Sequence, residues 1–123
     1  MLSLPPSVRI FLCTVPIDGR LGIDGLAGLV LRHFDTDPYS GHLFVFRTRR
    51  GDRLKILFWD RDGYILYYKR LERGKFSLPR AAVNSTSGAL EIRASELTML
   101  LDGIDLDSAQ RRPRYQRPTS NAS

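Results

Sequence analysis

Asp60 and Asp62 are the residues whose types and spacing come nearest to catalytic chemistry. They follow the apolar run from Ile56 to Trp59, and Gly63 comes directly after them. Two carboxylates at the end of a strand can supply a nucleophile and an acid, or ligands for a metal ion. The same residues are also typical of a tight turn, in which Gly63 takes the left-handed conformation of a bulged hairpin loop.

The order of these residues resembles the Asp-x-Asp-Gly nucleophile motif of haloacid-dehalogenase phosphatases. Those enzymes also need a parallel sheet, a Lys, further acidic motifs and a longer chain, and none of these follows. A metal-dependent nuclease needs two or three carboxylates that converge from separate elements, whereas the acidic residues here fall in turns and near helix ends. We therefore predict a hairpin turn with two solvated carboxylates and no enzyme activity. A phosphatase or nuclease that uses Asp60 and Asp62 is the catalytic alternative.

The sequence offers no pattern for a metal, a cofactor or a disulfide. Cys13 is the only cysteine, and His33 and His42 lie at no ligand spacing from it or from each other. We expect Cys13 to act as a small buried apolar side chain.

The positive charge of the chain is concentrated in one stretch. Residues 44–76 contain ten Lys or Arg and four Asp or Glu, while the remaining residues contain nine of each, so the net charge of +6 arises within this stretch. Such a concentrated basic field attracts polyanions, of which DNA and RNA are the commonest.

The predicted strands place some of this charge on one face. Alternation puts Lys55 and Trp59 on one side of a strand, and Leu54, Ile56 and Phe58 on the other side, which is the better core face. A bulged turn with Asp60 opposite Tyr64 would set Lys55 against Lys69 and place Tyr67 on the face of Trp59. An anionic ligand would relieve that repulsion, and the two rings would offer stacking surfaces.

Two alternatives stay open for the same residues. A slip of one residue would instead set Lys55 opposite Tyr68, and the whole face could simply be solvated, with its Lys and Arg discouraging edge pairing. The candidate nucleic-acid-binding residues are Arg47, Arg49, Arg50, Arg53, Lys55, Trp59, Tyr67, Lys69, Arg70, Arg73 and Lys75.

Periodicity and turn residues predict an α+β fold. We expect an antiparallel sheet of four or five strands, built around a meander, with two helices packed on one face. The first helix begins near Gly22 or Asp24 and ends before Asp37-Pro38, and the second begins after Ser95 and ends at Gly103. The predicted strands are 8–13, 43–46, 54–59, 64–71 and a short one at 90–93.

The organisation is one domain, residues 1–106, followed by a basic tail, residues 107–123. The tail is polar, contains proline and lacks periodicity, so we expect it to be disordered. It adds Arg111, Arg112, Arg114 and Arg117. No apolar run approaches the roughly twenty residues of a membrane span, and the N-terminus lacks the features of a signal peptide. The expected location is the cytoplasm, with no membrane partner.

Three segments resemble a known family. VPIDGRLGIDGLAGLV, DPYSGHLFVFRTRRGDRLKILFWDRDGYILYYKRLERGKF and LTMLLDGID are similar to the Orf2-like accessory proteins, called TnpB, of the IS66 group of insertion sequences. The similarity runs from about Val8 to Arg80 and resumes from Leu90 to Ile104. It implies a small bacterial protein that is encoded beside a separate, larger transposase and is needed for efficient movement of the element. The family brings no established catalytic residues.

Charge and resemblance together predict a non-catalytic accessory factor for transposition. We expect it to bind DNA, mainly through phosphate contacts at the element ends, in a complex with the transposase and the other accessory protein of the element. The alternative is an adaptor that docks on an acidic patch of the transposase without touching DNA, because aromatic residues and Arg are also enriched in protein interfaces.

Overall fold

Five strands and three helices make up the part of the chain that the computed structural model describes, residues 5, 7–83, 85 and 87–104. The α+β class and the five strands agree with the sequence prediction, and a short third helix, α2, lies between the strands predicted at 64–71 and 90–93. The elements are β1 (Ile10–Cys13), α1 (Ile23–His33), β2 (Leu43–Arg47), β3 (Arg53–Asp60), β4 (Gly63–Arg70), α2 (Arg80–Val83), β5 (Ala89–Ile92) and α3 (Ala94–Leu101).

The strands form one mixed sheet in the order β4-β3-β2-β1-β5. The meander β2-β3-β4 is antiparallel, as predicted. The prediction of a purely antiparallel sheet is wrong, because β1 runs parallel to β2 and antiparallel to β5. The connection through α1 carries the chain back to the end of the sheet at which β1 begins. Strand β2 therefore runs in the same direction as its neighbour β1.

Helix α1 covers one face of the sheet. Its buried residues Leu26 and Val30 pack in a cluster with Phe11, Phe44 and Leu57 from the three central strands. Helix α1 ends at His33, earlier than the Asp37-Pro38 limit, and Phe34 then turns back into the same cluster. This face contains the odd-numbered residues of β1 and β3 and the even-numbered residues of β2.

The opposite face is covered by α2 and α3. Leu12, Val45 and Ile56 point to this side and pack with Leu97 and Leu100 of α3. The two helices predicted from the sequence, α1 and α3, therefore lie on opposite faces, and the prediction that both pack on one face is wrong. Amphipathic spacing shows that a helix has a buried side, but not which face of a sheet it covers, and the apolar residues on both faces of the central strands require cover on each side.

The turn between β3 and β4 contains two residues, Arg61 and Asp62, because Asp60 pairs directly with Gly63. Arg61 takes the left-handed conformation with φ of 55°, whereas Gly63 is part of the strand. The predicted bulged turn is wrong, and the slipped alternative is confirmed, with Lys55 opposite Tyr68.

Helix α3 starts at Ala94, two residues earlier than a cap at Ser95 predicted. The Glu96 carboxylate accepts a hydrogen bond of 2.9 Å from the N–H of Arg93, the N-cap residue, and satisfies a free donor of the first turn. Gly103, with φ of 82°, ends the helix as predicted. The predicted tail and its four arginines lie outside the described residues.

Candidate nucleic-acid interface

Three segments that carry Arg or Lys side chains meet at one end of the sheet. The N–H of Ile17, in the β1–α1 loop, donates to the carbonyl oxygen of Arg47 at 3.0 Å, and the N–H of Arg49 donates to the carbonyl oxygen of Ile17 at 3.0 Å. The segment after β4 joins them through the N–H of Phe76, which donates to the carbonyl oxygen of Gly51 at 2.8 Å. Backbone pairing thus fixes the three loops beside one another.

The sheet topology explains this meeting. β1 and β2 are parallel, so their C-terminal ends lie at the same end of the sheet, where β3 begins and β4 finishes. The cationic residues gathered there are called the basic end: Arg20, Arg47, Arg49, Arg50, Arg53, Arg70, Arg73 and Lys75. Seven of these eight are among the predicted candidates.

Two open hollows mark the surface of the basic end. The first, of about 310 Å³, is lined by Arg20, Arg49, Arg50 and Arg53 together with backbone and acidic groups. The second, of about 260 Å³, is lined by the segment 71–75 and again by Arg50. Because both hollows include Arg50, they form a continuous cationic surface.

The guanidinium groups at the base of this surface are partly buried. Among the described residues, Nε of Arg47, Nε of Arg53 and Oδ1 of Asp52 are buried without a hydrogen-bond partner. Arg53 and Asp52 are paired only at 4.0 Å, and burial lowers the pKa of Arg47. Buried donors without partners are costly, and Nε of Arg47 and Nε of Arg53 both bear that cost at the basic end.

The ion pairs around the rim are exposed. Arg20 contacts Asp18 at 2.7 Å, and Arg70 contacts Glu72 at 2.9 Å. The hydrogen bonds from Arg20 hold the pKa of the Asp18 carboxyl well below its ordinary value. Exposed pairs contribute little to stability, so these arginines can exchange a carboxylate for a phosphate at small cost.

Lys55 lies apart from this exposed surface. It is 5% exposed, and its Nζ donates hydrogen bonds of 2.7 Å to the carbonyl oxygens of Gly19 and Leu21. The predicted opposition of Lys55 and Lys69 does not occur, because the two side chains point to opposite faces of the sheet. Lys55 therefore holds the β1–α1 loop, which carries Arg20, against the sheet.

Lys69 is also engaged within the fold. Its Nζ donates a 2.8 Å hydrogen bond to the carbonyl oxygen of Leu101, the last residue of α3. A cation at this place satisfies a free carbonyl and interacts favourably with the helix dipole. The contact ties the edge strand β4 to α3.

Trp59 and Tyr67 do not share a face, contrary to the prediction. Trp59 lies opposite Tyr64 on the α1 side, while Tyr67 lies opposite Ile56 on the α3 side. The Trp59 ring packs edge-on against Tyr39 and Tyr64, with centroid distances of 4.9 and 5.0 Å. The ring is also at the far end of β3 from Arg53, about 20 Å away by strand rise. The Trp59 ring therefore lies outside the basic end.

Arg20 is the member of the basic end that sequence reasoning missed. It lies in the turn-rich segment after β1, and no local pattern says which end of the sheet that segment reaches. A parallel pairing of β1 with β2 would have placed Arg20 beside Arg49. The missing information was therefore the parallel pairing of β1 with β2.

The remaining candidates for chemistry are dispersed. Among the described residues, no group of three His, Cys, Asp or Glu side chains could hold a metal ion. Asp60 and Asp62 are exposed at the β3–β4 turn. Cys13 is buried, its Sγ donates to the carbonyl oxygen of Val15, and burial raises the pKa of its thiol. No helix within the described ranges has the length and apolar character to cross a bilayer.

An apolar hollow of about 520 Å³ lies beside the basic end. Val15, Leu29 and Phe34 contribute to its lining, and Asp18 and Arg49 also border it. It has the size of a small ligand pocket or of a recess for a partner's side chain.

Comparisons with known proteins find one matching family model and two similar curated proteins. The family model described as "IS66 Orf2 like protein" matches residues 8–111. The uncharacterized protein y4jC of Sinorhizobium fredii (strain NBRC 101917 / NGR234) is 40% identical over 122 residues, which cover 99% of this chain and 100% of that protein. The uncharacterized protein y4hO of the same strain is 40% identical over 105 residues, which cover 85% of this chain and 88% of that protein. No solved structure matches the chain.

Proposed function

Since the chain belongs to the IS66 Orf2-like family, we propose that it is a non-catalytic accessory factor for transposition that binds DNA through its basic end. The family supports a role associated with transposition. The observation that carries the DNA-binding proposal is the convergence of three loops, with Arg20, Arg49 and Arg50, and Arg73 and Lys75, on one surface.

The chemistry of the basic end suits a phosphate backbone. Arg49 and Arg50 are exposed on a loop, and Arg73 and Lys75 are exposed on the neighbouring segment. Guanidinium groups bind phosphate oxygens in a bidentate manner. Such contacts position a protein on DNA without selecting a sequence, so we expect the basic end to bind duplexes of different sequence with similar affinity.

The proposal assigns DNA contact to only some of the residues that the sequence predicted to bind nucleic acid. Arg47, Arg49, Arg50, Arg53, Arg70, Arg73 and Lys75 are the proposed phosphate contacts, and Arg20 joins them. Lys55 and Lys69 act in the fold through backbone carbonyls. Trp59 and Tyr67 lie outside the proposed contact surface.

The test is DNA binding by a paired set of variants. Fluorescence anisotropy with an element-end duplex, measured from 50 to 200 mM salt, gives both the affinity and its salt slope. Arg49→Ala/Arg50→Ala should weaken binding about tenfold or more at low salt and reduce the salt slope by about two. Arg32→Ala/Arg61→Ala removes the same charge from exposed sites elsewhere and should bind nearly as the parent does.

Two results would overturn DNA binding. The first is no binding at 50 mM salt, and the second is an affinity that does not change with salt concentration. An unrelated duplex of equal length measures any sequence preference.

The absence of catalysis is part of the proposal and has its own test. Asp60 and Asp62 are exposed at the end of the sheet opposite the basic end. Replacing both with Asn should leave transposition in cells nearly unchanged. A loss of transposition by a folded double variant would instead support the phosphatase or nuclease alternative.

The apolar hollow favours a second candidate, an adaptor that docks on the transposase without DNA. A partner's apolar side chain could enter beside Val15 and Phe34 while an acidic group contacts Arg49. A pull-down of transposase from nuclease-treated extract separates the candidates, because only the adaptor requires the complex to survive without nucleic acid.

A further inference from the structure

Strand β4 forms a long outer edge of the sheet. It pairs with β3 on one side and is the last strand in the order. It spans eight residues, and Ile65, Tyr67 and Tyr68 are 42%, 39% and 47% exposed. Long apolar edges are templates for another strand, and proteins usually shorten, charge or cover them. The opposite edge, β5, has only four residues.

The backbone groups that face outward from β4 can be identified. The N–H of Leu71 donates to the carbonyl oxygen of Asp52 at 2.7 Å, so residue 71 directs its backbone groups toward β3. Direction alternates along a strand. The even-numbered residues Tyr64, Leu66, Tyr68 and Arg70 therefore direct their N–H and C=O groups to the outer side, where the described part of the chain places no strand.

We propose that a second copy of this chain pairs with this edge, β4 against β4, antiparallel about a twofold axis at Leu66. Such an axis, perpendicular to the sheet, keeps each face on its own side, so even-numbered residues oppose even-numbered residues. Leu66 then opposes its counterpart, and two five-stranded halves of equal shape form one continuous ten-stranded sheet.

This register places complementary groups together. Ile65 opposes Tyr67 of the second copy, and Tyr64 opposes Tyr68, pairs of the type that stabilise antiparallel strands. Continuing outward, Asp62 opposes Arg70 of the second copy, and symmetry repeats the pair at the other end. The acidic turn of each copy meets the basic end of the other.

The charges also disfavour the two registers in which the twofold axis is shifted by one residue along β4. An axis at Tyr67 would set Asp62 against Glu72, and an axis at Ile65 would set Arg61 against Lys69. Like charges directly opposed are unfavourable. The axis at Leu66 therefore remains the best of the three.

The first test is the oligomeric state without DNA. Sedimentation velocity from 1 to 200 μM should show a monomer–dimer equilibrium. Amide hydrogen exchange, followed by NMR over the same range, should slow with concentration at Leu66 and Tyr68, whose N–H groups face outward, while Ile65 and Tyr67 should show no such dependence. A monomer at every concentration, or a dimer that leaves these outward amides unprotected, would overturn the proposal.

The second test reverses the charges across the axis. Asp62→Arg and Arg70→Glu should each weaken the dimer about tenfold, because each converts two symmetric attractions into repulsions. The double variant should restore the affinity to within about threefold of the parent. Arg32→Glu, an exposed reversal on α1, is the control and should have little effect. Equal weakening by the double variant and the single variants would contradict the register.

Discussion

The ammonium group of Lys55 donates a 2.7 Å hydrogen bond to the carbonyl oxygen of Gly19, a residue 36 positions earlier in the chain. A second hydrogen bond reaches the carbonyl oxygen of Leu21. The centre of the sheet is thereby connected to the loop that carries Arg20. A lysine that composition alone assigns to the basic surface has a structural role.

We expect Lys55→Met to lower the free energy of unfolding by roughly 1–3 kcal/mol, because two carbonyl oxygens lose a buried donor. The salt slope of DNA binding should stay as in the parent, since Lys55 makes no proposed phosphate contact. Urea unfolding and anisotropy measure the two quantities.

The matched variant is Lys75→Met, which removes the same charge from an exposed site. Its stability should change by less than about 0.5 kcal/mol, and its salt slope should fall by about one. If Lys55→Met instead reduced the salt slope, Lys55 would contact DNA.

Gly51 supports the shape of the basic end. Its φ is 80°, a conformation that other residues adopt at a cost, and an added Cβ would lie 2.5 Å from Nη2 of Arg47. Gly51→Ala should destabilise the protein by about 1–2 kcal/mol and weaken DNA binding. At Gly63 an added Cβ meets open space, so Gly63→Ala should stay within about 0.5 kcal/mol of the parent in the same thermal unfolding experiment.

The fluorescence of Trp59, the only tryptophan, tests whether this ring stacks on DNA bases. Its ring packs against Tyr39 and Tyr64, far from the basic end. Saturating single-stranded or duplex DNA should therefore leave the intensity and wavelength of its emission nearly unchanged, while anisotropy of labelled DNA shows binding. Strong quenching on binding would restore Trp59 as a stacking platform.

The Asp18 carboxyl should make a small contribution to acid stability, because its ion pair with Arg20 is exposed to solvent. Hydrogen bonds from Arg20 lower its pKa in the folded protein, so its contribution is present above the ordinary value of about 3.9 and is lost as pH falls through the folded value. Asp18→Asn should flatten the fall in unfolding free energy from pH 5 to pH 2, measured by urea titration. Asp35→Asn, at an exposed site after α1, should retain the slope of the parent; equal slopes in all three proteins would contradict the assignment.

Local signals predicted the parts of the fold that local physics determines. Turn residues and alternation gave the meander β2-β3-β4, and Gly103 marked the end of α3. The direction of β1 and the faces covered by the helices depend on contacts between distant residues, which no local pattern contains. The turn failed differently: Arg61, rather than glycine, adopts the left-handed conformation, and the resulting one-residue shift moved Tyr67 to the other face.

The prediction of the candidate site was likewise right where local sequence determines exposure and wrong where contacts between distant residues determine it. Composition identified most arginines of the basic end, because loops rich in Arg and Gly are exposed wherever they lie. It could not distinguish Lys55, whose neighbours on both sides are buried strand residues, from an exposed lysine. Its hydrogen bonds go to the backbone carbonyls of Gly19 and Leu21, and no sequence pattern predicts that these carbonyls lie near Lys55.

The place of β1 between β2 and β5 has a consequence for the order of folding. Asp60 meets Gly63 after a two-residue turn, whereas Ile10 meets Ile92, 82 residues later. Closing the longer loop costs more entropy, and such distant contacts slow folding. We expect the meander to form early and the first strand to receive its second neighbour late, so that β5 completes the sheet only after nearly all of the domain has been synthesised.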